Sequence, residues 1–133
     1  MDLTVSHFHI TVTDPDAALS FYRDALGLEL KNEVNQGGFR WLTLSPPSQP
    51  DLQVVLSEAR AGRPPADGEQ IEALVTKGSF MGAIFTSRDL DTTFEKVRAS
   101  GAEVMQEPTD QPWGVRDCAF RDPSGNMVRI NQA

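Results

Sequence analysis

The chain's two histidines, His7 and His9, stand two residues apart in the stretch "HFHITVTDPDAALSFY", residues 7–22. Imidazole can ligate a metal, move a proton, or hydrogen-bond and stack on a planar ligand. On a strand, residues i and i+2 share one face, so the pair offers a metal two ligands at most. No nearby carboxylate is evident to complete a set. Cys118 is the single cysteine, which excludes an intramolecular disulfide, and its strand setting reads as core rather than nucleophile. No phosphate loop, nucleophile elbow or catalytic triad motif occurs.

The elements that must position these residues follow from periodicity. Phe8, Ile10 and Val12 alternate with His7, His9 and Thr11, which predicts a two-faced strand. Asp14 suits an N-cap and Pro15 a first helical turn. Leu19, Tyr22 and Leu26 fall at helical spacing, and Gly27 can close the helix. A shift of 75 residues repeats the pattern, laying Asp14 on Asp89, Asp16 on Asp91 and Leu19 on Phe94, with Gly27 within one residue of Gly101. In the second copy Met81, Ala83 and Phe85 alternate with Phe80, Gly82, Ile84 and Thr86, and Leu90, Phe94 and Val97 form the helical stripe. Three strand candidates follow each helix: "LELKNEV", "FRWLTLS" and "LQVVLSE", then "AEVMQEP", "VRDCAFR" and "NMVRINQ". "DPSG" joins the last two as a tight turn. Each half therefore reads β-α-β-β-β, which predicts an α+β fold of tandem βαβββ modules. One domain over residues 1–133 is expected: module one about 1–58, a linker about 59–78, and module two about 79–133. In the linker, "EARAGRPPADGEQ" reads as loop and "EQIEALVTKG" as a short helix.

Composition narrows the partners. With 39% hydrophobic and 23% charged residues the chain suits a soluble globular protein. A net charge of −7 disfavours nucleic acid and anionic membrane. No apolar run reaches the roughly 18 residues of a membrane span, and "MDLTVSHF" lacks a signal-peptide pattern. A lone cysteine fits a reducing cytoplasm.

Three stretches, "HITVTDPDAALSFYRDALGLEL", "DLDTTFEKVRASGAEV" and "PWGVRDCAFRDPSGNMVRINQ", resemble the vicinal oxygen chelate superfamily. That group includes glyoxalase I, bleomycin-resistance proteins, fosfomycin-resistance enzymes and extradiol dioxygenases. The resemblance covers nearly the whole chain. It implies that each module curls into a half-barrel sheet and that paired modules enclose a cavity, often completed by a second chain, hence a homodimer. It also implies four metal-ligand positions in the enzymes, from the first and last strand of each module. Here they fall on His7, Gln53, Phe80 (with Met81 beside it) and Arg129. One imidazole, one amide, a phenyl ring and a guanidinium make no donor set, so no metal or other cofactor is expected. The resemblance is then closest to the metal-free bleomycin-resistance branch.

The face that carries His7 is expected to carry His9, Thr11, Gln53, Val55, Phe80, Gly82, Ile84, Met127, Arg129 and Asn131 as well. Phe39, Trp41 and Trp113 add flat aromatic surface. The expected ligand-binding residues are His7, His9, Phe39, Trp41, Gln53, Phe80, Trp113, Met127 and Arg129, with no catalytic residue and no metal ligand. A mixed wall of this kind suits a bulky, partly aromatic natural product, sequestered as a means of antibiotic resistance. The alternative is a lyase, isomerase or dioxygenase with an atypical metal set or metal-free histidine acid–base chemistry.

Overall fold

A computed structural model describes all residues, Met1–Ala133. The first module runs β1 (His7–Val12), α1 (Pro15–Leu19), β2 (Glu29–Gln36), β3 (Phe39–Ser45) and β4 (Gln53–Glu58). After α2 (Pro65–Thr76), the second runs β5 (Gly82–Ser87), α3 (Leu90–Ala99), β6 (Glu103–Asp110), β7 (Arg116–Arg121) and β8 (Met127–Gln132). Each module forms one mixed four-stranded sheet, ordered β1-β4-β3-β2 and β5-β8-β7-β6. In each, the first and last strands pair parallel and the rest antiparallel. This is the α+β tandem βαβββ architecture that the repeat predicts.

Both helices start as expected. Asp14 Oδ1 accepts from the backbone N–H of Asp16 and Ala17, and Asp89 Oδ1 from that of Thr92. Both satisfy N–H groups that a helix start leaves open. Gly27 and Gly101 close the helices at φ 81° and 95°, where a Cβ is disfavoured. Two features depart from the sequence reading. The first helix widens after Leu19 into a π-helical turn, Ser20–Ala25, with Leu26 N–H donating to Phe21 O at 2.9 Å. The wider turn rotates the inward face and buries both Phe21 and Tyr22. The linker is less loop than its composition suggests, because α2 begins at Pro65. Proline has no N–H to lose at a first helical position.

One side of each sheet packs on its helix, and these sides merge into one apolar core. It holds Ile10, Val12, Leu42, Leu44, Val54 and Leu56 from the first sheet with Cys118, Phe120, Val128 and Ile130 from the second, around Tyr22, Leu90 and Phe94. The modules are joined on this side by the β7–β8 turn. Tyr22 Oη donates to Asp122 Oδ2 at 2.6 Å, Asn126 Nδ2 donates to Thr11 O at 2.8 Å, and Thr13 N–H donates to Ser124 Oγ at 3.0 Å. Gly125 completes the turn at φ 121°, and a Cβ there would lie 2.3 Å from Val75 O in α2. No helix is long and apolar enough to cross a membrane.

Candidate functional site

The side of the sheets away from the helices is the open face, and strand register decides what it displays. In the first sheet His7 lies opposite Gln53, His9 opposite Val55, and Thr11 opposite Ser57. In the second, Gly82 lies opposite Met127, Ile84 opposite Arg129, and Thr86 opposite Asn131. The two rows correspond one to one, so Gly82 holds the place of His7 and Ile84 that of His9. The register thus differs from the resemblance, which puts the third ligand position on Phe80. Phe80 precedes the first residue of β5 and has no partner in the sheet. A position's face depends on its pairing, and Phe80 lies outside the ladder.

Within the first sheet the register sets His7, His9, Phe39, Trp41 and Gln53 on one face, and within the second it does so for Met127 and Arg129. Trp41 sits opposite Ser57 in β3, and Phe39 two residues before it shares its parity. Phe39, Trp41, Gln53, Met127 and Arg129 are half-buried, and His7 and His9 are exposed. His7 Nδ1 lies 2.7 Å from Ser6 Oγ, and His9 Nδ1 lies 3.1 Å from Ser57 Oγ. Trp113 stands apart in the β6–β7 connection and is 70% exposed. A surface hollow along Val5, Phe8 and residues 48–52 lies at the β3–β4 connection.

The second sheet holds a cluster that sequence reasoning missed. Asp117 and Ala119 face the open side opposite Asn131 and Arg129. Arg129 Nη1 lies 3.0 Å from Asp117 Oδ2, with the Asp117 side chain 2% exposed and that of Arg129 25%. Gln106 Nε2 and Gln111 Nε2 donate to Asp117 Oδ1 at 2.8 and 2.9 Å. Arg129 Nη1 also donates to Gln106 Oε1 at 3.3 Å. Burial raises the Asp117 pKa, but the donors Gln111, Gln106 and Arg129, with the Arg129 charge, outweigh it and hold the carboxyl below its ordinary value. The signal for this residue was an acid in mid-strand in "VRDCAFR", sharing parity with Ala119 rather than with the core residues Cys118 and Phe120. Cys118 itself is fully buried. Its thiol is pushed up to about 11, first by burial and then by the Asp117 charge, which keeps it a poor nucleophile.

These residues do not fit a divalent cation. No three His, Cys, Asp or Glu side chains converge on one point. The row that carries His7 and Gln53 continues in the second module with Gly82, which has no donor side chain, and Met127. Arg129 puts a fixed positive charge there, and the nearby carboxylate is already engaged by Arg129 and two amides.

Comparison with known proteins places this geometry. The family model of the Glyoxalase/Bleomycin resistance protein/Dioxygenase superfamily matches residues 4–130. Uncharacterized protein YurT of Bacillus subtilis (strain 168) is 32% identical over 123 residues, covering 92% of this chain and 94% of that protein. The crystal structure of UcmS2 superposes with a TM-score of 0.89 at 31% identity, over 100% of both chains. That of TnmS3, an antibiotic binding protein from Streptomyces sp. CB03234, superposes at 0.75 with 27% identity, over 98% of this chain and 96% of its own.

Proposed function

This chain belongs to the Glyoxalase/Bleomycin resistance protein/Dioxygenase superfamily, and we propose that it is a metal-independent binding protein that sequesters a bulky, partly aromatic natural product on its open face. The observation that carries this reading is the Arg129–Asp117 ion pair: the resemblance puts a metal donor at Arg129, and a guanidinium held by a carboxylate stands there. A fixed guanidinium and a missing donor suit organic recognition better than cation binding. Trp41 and Phe39 supply apolar surface, worth roughly 25 cal/mol per Å² removed from water. His7, His9, Gln53 and Arg129 supply the few polar anchors that orient a ligand. The likeness to TnmS3 supports an antibiotic as the cargo. We further propose that the protein works as a cytoplasmic homodimer, because Ile84 is 69% exposed on β5, an edge strand, and a second copy would cover it.

The test is to incubate the purified protein with natural-product extracts, isolate the protein fraction, and identify retained compounds by mass spectrometry. The expected result is an aromatic compound returned unmodified by protein with far less than one equivalent of bound metal. Chemical turnover of the retained compound, or stoichiometric metal held through His7, would overturn the reading. Analytical ultracentrifugation at micromolar concentration checks the dimer, and a monomer alone would refute it.

A further inference from the structure

We infer that the open face selects a neutral aromatic ligand bearing a carbonyl-type acceptor and rejects an anionic one, because the cation that would attract the anion is neutralised from within by Asp117. The inference rests on the binding reading above and names its ligand class.

Fixed charges on the open face are few and paired. Its central rows contain His7, His9, Thr11, Thr43, Val55 and Ser57 in one module, and Ile84, Thr86, Met127, Ala119 and Asn131 in the other. Of the fixed charges in register on this face, Arg129 is paired with Asp117 at 3.0 Å, and Arg121, opposite Met127 at the turn end, with Glu103 at 3.0 Å. Gln106 and Gln111 also donate to the Asp117 carboxylate, so it stays ionised and in place. A ligand carboxylate that approached Arg129 would meet Asp117 directly behind it, on a chain of net charge −7. Like charges brought together in this way repel. A neutral carbonyl oxygen meets no such repulsion. The protein partners of the guanidinium gather on Nη1, and Nη2 has only a 3.8 Å contact with Met127 Sδ. The remaining N–H donors can therefore serve an acceptor on the ligand.

Two probes of matched ring and size test this: 2-acetonaphthone, a neutral ketone, and 2-naphthoate, its anionic counterpart. Equilibrium dialysis at pH 8 and low salt measures both affinities. The native protein is expected to hold the ketone about tenfold or more tighter than the carboxylate. Asp117→Asn exposes the Arg129 charge at almost unchanged shape, and should move the ratio about tenfold toward 2-naphthoate. Arg129→Gln should weaken the ketone and leave 2-naphthoate bound more weakly still, facing an unneutralised Asp117. Circular dichroism confirms that each variant is folded, and the ratio in the native protein decides even where a variant is not. Equal affinity for the two probes, tighter binding of 2-naphthoate, or an unchanged ratio in folded Asp117→Asn overturns the selectivity while leaving the binding reading intact. Failure of the native protein to retain either probe overturns both.

Discussion

The two modules share their scaffold and differ on their open faces. Asp14 and Asp89 cap equivalent helices. Arg40 pairs with Asp16 at 2.8 Å, and Arg116 with Asp91 at 2.9 Å, in equivalent places. Even a break in strand register recurs, between Leu30 and Asn32 in one sheet and between Val104 and Gln106 in the other. Opposite the helices the likeness ends. Trp41 occupies the place that Asp117 occupies in module two, Val55 that of Arg129, and His9 that of Ile84. One wall offers aromatic and imidazole surface, the other a buried ion pair. The repeat therefore keeps the residues that build a module and varies the ones that meet a ligand.

The turns before the last strands differ just as sharply. In module two Asp122 Oδ1 accepts from the backbone N–H groups of Ser124, Gly125 and Asn126, and Oδ2 from Tyr22 and Asn126. Module one has Pro46 at the equivalent place, and Val97 stands where Tyr22 does. Only one of the two turns can thus clasp the other module. The largest expected effect lies here. Asp122→Ala should destabilise by about 3 kcal/mol or more, because it strands several buried donors at once. Urea unfolding measures this, and a loss under 1 kcal/mol would remove the clasp from the account.

Next comes the aromatic wall. Trp41→Ala should weaken 2-acetonaphthone binding by about 1 to 3 kcal/mol, as for a buried aromatic anchor. Phe80→Ala should change it by less than about 0.5 kcal/mol, as for a residue off the binding patch. Equal losses would mean that the face extends beyond the strand ladder.

Tyr22→Phe should cost about 1 to 2 kcal/mol through the lost hydrogen bond. Burial, then the Asp122 charge and its hydrogen bond, raise the Tyr22 pKa well above its ordinary value. The unfolded chain ionises near pH 10 while the folded chain keeps its proton, so the stabilisation is whole below that pH and lost as pH rises beyond it. Tyr22 is the single tyrosine, so phenolate absorbance near 295 nm reports it alone. Absorbance should rise only as the protein unfolds; a transition near pH 10 with the fold intact would contradict the burial.

The smallest effects should come from the duplicated surface pairs. Arg40→Ala and Arg116→Ala should each cost up to about 1 kcal/mol, to similar extents and less in high salt, because both pairs are solvent-exposed. A large difference between them in thermal denaturation would show that the modules are not equivalent scaffolds.

The sequence by itself determined what depends on near neighbours along the chain. Alternation marked β1 and β5, the Asp caps and glycine stops bounded the helices after them, and the repeat fixed the fold class. These are local rules, written at spacings of one to four residues. The π-helical turn and the early start of α2 escaped because each sets packing or proline placement against ordinary periodicity and composition. The site was half legible: the parity of His7, His9, Gln53 and Arg129 could be read, but their partners could not. Only the tertiary structure decided that Asp117 neutralises Arg129 from a neighbouring strand and that Tyr22 reaches Asp122 across 100 residues of chain. Those outcomes depend on strand register and on the packing of one module against the other, and a one-residue slip in register turns a side chain to the opposite face.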